Sequence, residues 1–355
     1  MTSARSRNTA IDMAKGLLFV PVPLTHLIEL TLNVTLFKTL AVMRTALMIS
    51  WFALSGYTFA TGRRSWAQNA GRRLKQLMLP WLLWTLADIL LTVVLQAFSG
   101  SYSLSESLLG AWQAFGANYN LPIEMTTMAA YEFTIGQVAY WFLPQMFLAS
   151  LIFLALADLT RKDVPLTLLA AAALLLLTGV TRHFLTDSLP FTVEETPAYA
   201  AALLLGCLAG RYRLLEQRPL KGVWFPVSLA LCVVMLTLIR LTVTGSYEDW
   251  GTTDVSSPYV QILCAALTVY VSVFGMQALG NLCRPVGAAF QWLGRHTLDM
   301  LMVHMPVYVL LRRIPFLADR STVGRCMVML AADMVISVLF CVARDRLTQR
   351  LRKKA

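Results

Sequence analysis

The stretch Asp12-Met-Ala-Lys15-Gly16-Leu-Leu-Phe-Val-Pro21-Val-Pro23-Leu-Thr-His26-Leu-Ile-Glu29 is the first apolar segment of the chain, and it carries Asp12, Lys15, His26 and Glu29 inside it. Lys15 and His26 stand eleven positions apart. Eleven helical steps of about 100° return within roughly 20° of the start, so the two side chains share one face, about 16 Å apart along the axis. Ionisable groups at such depth in a membrane helix cost about 2.5–3.5 kcal/mol each on insertion scales, and they mark functional sites. Pro21 and Pro23 withhold N–H groups from the carbonyls at or near Leu17 and Phe19, which predicts a kink beside His26.

Working outward, the 355-residue chain is 57% hydrophobic and 14% charged, well beyond the composition of soluble domains. Apolar windows of about 20 residues predict an all-α, polytopic membrane protein with ten spans, near 11–31, 40–61, 77–98, 137–159, 164–182, 196–212, 222–241, 258–279, 293–311 and 324–343. Further polar groups fall inside these windows: Arg44, Asp88, Arg240, Asp299, His304 and Asp333. So many buried charges predict a polar intramembrane cavity. No linker or composition shift divides the chain, so 1–355 reads as one membrane domain.

Lys and Arg crowd Arg63–Lys75, Arg161–Lys162, Arg211–Lys221 and the tail Arg344–Lys354, whereas Ser99–Thr134 and Thr242–Ser257 have none. By the positive-inside rule this puts both termini in the cytoplasm. Arg312, Arg313 and Arg320 fall on the predicted outer side and break the pattern. The net charge of +11 is thereby assigned to topology and anionic lipid headgroups rather than nucleic acid, for which no motif is present. Six cysteines without CxxC spacing read as core thiols, and no metal site is expected. Asp12 and Lys15 within the first apolar segment argue for a retained signal anchor over a cleaved signal.

The outer segment 100–133 combines Tyr102, Trp112, Phe115, Tyr119 and Tyr131 with Glu106, Glu124 and Glu132. It is expected to be amphipathic or re-entrant. Aromatics with carboxylates suit a sugar-gripping surface and equally an interfacial belt. The patch from Tyr247 through Trp250 to Asp254 has the same chemistry. No internal repeat of the transporter kind is evident.

His26 with Glu29 three residues on has the arrangement of a general base oriented by a carboxylate. With the amino terminus inside, Lys15 lies near the cytoplasmic face and His26 beyond the bilayer centre. A cation at the inner mouth and a base deeper suit a long anionic donor such as coenzyme A. A proton-coupled transporter could use the same residues, and His26 and His304 could each be packing histidines.

Several segments, in order, resemble the acyltransferase-3 family of integral membrane O-acyltransferases. Asp12, Lys15, Gly16 and His26 are similar to its opening pattern, in the form closest to the fucose 4-O-acetylase-like branch. Trp51-Phe-Ala-Leu-Ser55-Gly56-Tyr57 is similar to its Phe-Phe-x-Leu-Ser-Gly-Tyr. A basic loop into Arg72-Arg73-Leu-Lys75-Gln76-Leu-Met-Leu-Pro80, then Tyr140-Trp141-Phe142-Leu143, then Gly294 through His304-Met-Pro306, match later motifs. Two patterns differ: Arg73-Leu-Lys75-Gln76 stands for Arg-x-x-Arg, and Ala46-Leu47-Met48-Ile49 for Phe-His-x-Pro.

The resemblance implies a ten-helix enzyme that transfers an acyl group, acetyl in this reading, from cytoplasmic acetyl-CoA to a hydroxyl of an envelope carbohydrate or lipid-linked glycan, in a bacterial inner membrane. It implies catalysis by His26 and Glu29, donor binding by Lys15, Arg72, Arg73 and Lys75, and a site lined by Asp12, Ser55, Tyr57, Trp141, Asp299 and His304. Two other classes stay open: a transporter or flippase for a small or lipid-linked solute, and a noncatalytic scaffold.

Overall fold

A computed structural model describes residues 8–28, 47–59, 65–130, 140–160, 163–185, 189–216, 224–242, 258–311, 313–318 and 323–354. Among these residues the chain is helical and forms no strand. The helices are α1 (Thr9–Phe19), α2 (Pro21–Ile28), α3 (Leu47–Tyr57), α4 (Trp66–Arg73), α5 (Leu79–Ser99), α6 (Leu104–Asn118), α7 (Phe142–Leu159), α8 (Val164–Phe184), α9 (Thr196–Arg211), α10 (Trp224–Thr242), α11 (Pro258–Leu282), α12 (Arg284–Leu311), α13 (Pro315–Ala318) and α14 (Val323–Lys354). Among the described residues five helical stretches are long and apolar enough to cross a membrane: Trp66–Ser99, Phe142–Leu159, Val164–Phe184, Pro258–Leu282 and Gly324–Leu351.

Three boundaries depart from expectation. The third span starts eleven residues early, at Trp66, because Ser65 caps it: its hydroxyl accepts from the Gln68 N–H (3.3 Å) and its own N–H donates to Gln68 Oε1 (3.2 Å). Such a reciprocal box satisfies two N–H groups that a helix end would leave unpaired. Arg72, Arg73 and Lys75 are therefore helical, where a basic loop was expected. The ninth expected span begins early, at Arg284 in α12, and the last continues in α14 through the basic tail to Lys354.

The segment after the third span folds back. Gly100 ends α5 in the left-handed region (φ 65°), and Ser103 opens α6 with a second box, accepting from the Glu106 N–H (3.2 Å) while its own N–H donates to Glu106 Oε2 (2.8 Å). Hydrogen bonds from Ser103 hold the Glu106 carboxyl below the usual carboxylate range. Near the turn Val93 packs with Ala111 and Ala114, and further down Trp81 Nε1 donates to the Tyr119 hydroxyl at 2.6 Å. Thus α6 runs antiparallel along α5. Past the turn at Asn120 (φ 52°) the chain doubles back along α6, where Gln113 binds Thr126 and Thr127 and Gly110 meets Ala129. Helix α6 and the strap beyond it form a hairpin against α5.

By its internal contacts the chain falls into two compact units, Met1–Phe59 with Leu205–Leu298, and Ala60–Leu204 with Asp299–Ala355. The first has a core of Ile11, Ala14, Leu18, Leu54, Tyr57, Val273 and Phe274, to which α1, α3 and α11 all contribute. The second holds α4 through α8 and α14. In it α5 and α14 meet where Trp84 and Phe340 pack edge to face at 5.9 Å.

Candidate functional site

In the first unit the geometry starts from two glycines. A Cβ on Gly16 would stand 2.1 Å from the Phe290 carbonyl oxygen, and one on Gly294 would stand 1.7 Å from the Asp12 carbonyl oxygen. Helices α1 and α12 therefore touch backbone to backbone, as small residues permit inside membranes. Gly16 follows Lys15, and Gly294 precedes Arg295. The close crossing delivers Arg295 to Asp12, with Nε 3.5 Å from Oδ2, and Asp12 is only 4% exposed. Arg295 was missed in the sequence; its place next to a motif glycine was the available signal.

Lys15 is half-buried and His26 is 8% exposed. The hydrogen-bond ladder breaks at Val20, where the prolines begin α2, yet Val20 keeps right-handed helical torsions (φ −52°, ψ −41°). Val20 thus joins two right-handed helices, with Lys15 on α1 and His26 on α2. Glu29, the expected orienter of His26, lies outside the described residues, as does Arg44.

The Ser-Gly-Tyr end of α3 is fixed by a second small-residue crossing. Cβ atoms on Gly206 and Gly210 would stand 2.0 Å and 2.3 Å from the carbonyl oxygens of Ala53 and Tyr57. Tyr57 is buried, and its hydroxyl accepts the Leu215 N–H at 3.2 Å. Ser55 is half-buried, and its carbonyl accepts from Thr58 Oγ1 at 3.1 Å. Tyr57→Phe should leave the Leu215 N–H unsatisfied at a cost of about 1–3 kcal/mol, read as a lower melting temperature in detergent. An unchanged melting temperature would mean the hydroxyl has another task.

In the second unit Arg72 and Lys75 are exposed and Arg73 is half-buried. Arg72 and Arg73 precede, and Lys75 lies within, a π turn, Leu74–Met78, closed by the Leu79 N–H donating to the Leu74 carbonyl. Pro80 explains its position. A proline has no N–H for the carbonyl four residues back and its ring crowds that carbonyl; the wider turn lets the helix run on. π turns recur at functional sites, and this one sets the direction of the three cations.

Tyr140 donates to the Met302 carbonyl at 3.0 Å, beside the half-buried Trp141. His304 is 1% exposed and its Nδ1 faces the carbonyls of Leu301 (2.8 Å) and Met300 (3.1 Å). Two acceptors at Nδ1 assign the proton there, leaving Nε2 the basic nitrogen. Asp299 forms an ion pair with Arg344 of α14. That partner too was missed, because it lies in what reads as a topological tail.

The aromatics of the outer segment are engaged with one another. Trp112 stacks on Phe115 (6.3 Å), and Phe115 and Trp81 contact Tyr119 (4.8 and 5.6 Å), which meets Phe191 (5.1 Å). They bind α6 to α5 and to the turn before α9. Trp112 keeps an exposed face; Tyr131, Glu132 and the 247–254 patch lie outside the described residues.

Helices of this length and apolarity, carrying buried charge, define an integral membrane protein. A family model for an acyltransferase domain, that of the acyltransferase-3 family, matches residues 8–343, and the chain belongs to this family of membrane acyltransferases. No curated protein and no solved structure matches the chain.

Proposed function

We propose that this protein moves an acetyl group from cytoplasmic acetyl-CoA to a hydroxyl of an envelope or exported carbohydrate. The observation that carries the reading is the half-buried Lys15 of α1 and the buried His26 of α2, in a chain whose family match runs from residue 8 to residue 343. The Asp-x-x-Lys-Gly form of α1 favours the fucose 4-O-acetylase-like branch.

In this reading ten spans place both termini in the cytoplasm of a bacterial inner membrane. Lys15, Arg72, Arg73 and Lys75 hold the phosphates of the donor as point charges and forks. His26, oriented by Glu29, takes the proton of the acceptor hydroxyl. The oxygen attacks the thioester carbonyl, the C–S bond breaks as the ester C–O bond forms, and the imidazolium returns the proton to the departing thiolate. Asp12 acts through Arg295, and Ser55, Tyr57, Trp141, Asp299 and His304 line the acceptor side.

Purified full-length protein in detergent should bind acetyl-CoA by calorimetry and release free thiol on adding a hydroxylated acceptor or, slowly, water. Absence of acetyl-CoA and coenzyme A binding, together with solute flux in proteoliposomes independent of coenzyme A, would replace this reading with a transporter.

A further inference from the structure

Helix α5 carries a polar file that the acyl-transfer reading does not use. Thr85, Asp88, Thr92 and Gln96 follow one another at three- and four-residue steps along one face and are all buried, with Asp88 at 0% exposure. Neighbours at such steps lie about 5–6 Å apart between Cβ atoms. The antiparallel register set by Trp81 with Tyr119 and Val93 with Ala111 brings the buried Ser107 of α6 to the level of Gln96.

Among the described residues, no hydrogen-bond partner reaches either oxygen of Asp88, the Thr92 hydroxyl or the Ser107 hydroxyl. Helical hydroxyls elsewhere in this chain behave otherwise. Ser150, Thr167 and Thr178 each donate to the carbonyl four residues back, at 2.6, 2.7 and 3.1 Å. Thr92 does not make that bond.

The charge around Asp88 is as informative as the geometry. Among the described residues its charge acts on the phenols of Tyr119, at the end of α6, and Tyr140, ahead of α7. Helix α14, packed on α5 through Trp84 and Phe340, contributes a buried Asp333 to which Ser337 donates at 3.4 Å. All three are acids. Among the described residues no Lys, Arg or His pairs with Asp88, and a bare carboxylate in this position is untenable.

We propose that Asp88, flanked by Thr85 and Thr92, is an intramembrane site for one monovalent cation, with Gln96 and Ser107 continuing the polar file toward the α5–α6 turn. A neutral polyol would satisfy the hydroxyls and leave the charge. One carboxylate with neutral oxygen ligands suits a hard alkali ion, and the same carboxylate takes a proton.

The test is the melting temperature of the full-length protein in detergent, because a cation that binds the folded state alone stabilises it. Sodium replacing choline at constant ionic strength, and separately a fall in pH, are the two titrations, on wild type and Asp88→Asn. A rise of about 3 °C with sodium, absent from Asp88→Asn, identifies an alkali ion; a rise with acid alone, absent from the variant, identifies a proton. Wild type flat in both titrations, or a variant that follows wild type, overturns the proposal. Should Asp88→Asn not fold, Thr92→Val decides: the site requires its sodium or pH midpoint to move, and a midpoint equal to wild type overturns it.

Discussion

Gly294→Ala is expected to destabilise this protein more than any other single methyl group added to it. The new Cβ would stand 1.7 Å from the Asp12 carbonyl oxygen and 2.6 Å from its carbon, both backbone atoms that no rotamer change can move. Helices α1 and α12 must part, and the loss of their contact and of the Arg295–Asp12 pair should cost about 3 kcal/mol or more. Far less monodisperse protein should survive size exclusion in detergent, and the melting temperature should fall. Gly71→Ala and Gly179→Ala are the controls. A Cβ at either position meets nothing within 4 Å among the described residues, and alanine is the better helix former by about 0.8–1 kcal/mol. The same chemical change should thus raise stability at two sites and collapse it at a third. A Gly294→Ala protein as robust as Gly71→Ala would mean the two helices do not cross in contact.

That crossing also marks where the sequence stops being readable. Among the described residues the apolar windows fall on helix, because burial in lipid writes itself into composition over 20 residues. Local chemistry was legible too, in principle: Ser65 with Gln68 and Ser103 with Glu106 are capping boxes three residues apart, and recognising them would have turned a basic loop and an outer loop into helices. Partners distant in the chain were not legible. Asp12 meets Arg295 and Asp299 meets Arg344, and no periodicity links residues so far apart. The two arginines had been assigned to nothing or to topology. Asp88 shows a third limit. Its position inside a span was plain, but its separation from every basic group among the described residues depends on what the neighbouring helices bring, and α6 was not expected to lie against α5 along its length.

The largest catalytic effect is expected at His26. His26→Ala should lower acyl transfer by about 10²–10⁴-fold, the range over which a positioned acid–base group acts, measured as acceptor-dependent release of coenzyme A thiol. Insertion and melting temperature should change little beyond the loss of one side chain, since the α1–α12 crossing lies more than two turns away at Gly16. Acetyl-CoA binding should persist in His26→Ala, because the proposed phosphate contacts are Lys15, Arg72, Arg73 and Lys75; Lys15→Ala should instead weaken binding while leaving the histidine intact. The two variants therefore separate the donor end of the site from its reacting end. Wild-type rates of O-acetylation in His26→Ala would remove this residue from the mechanism and pass the role of base to His304, whose Nδ1 is committed to its own helix and whose Nε2 is the basic nitrogen. Labelled acetyl-CoA without acceptor then divides the remaining possibilities. Base-labile label on wild type and none on His26→Ala means that the imidazole carries the acetyl group. Absence of label on an active wild type means that the hydroxyl attacks the thioester directly, with His26 moving only the proton.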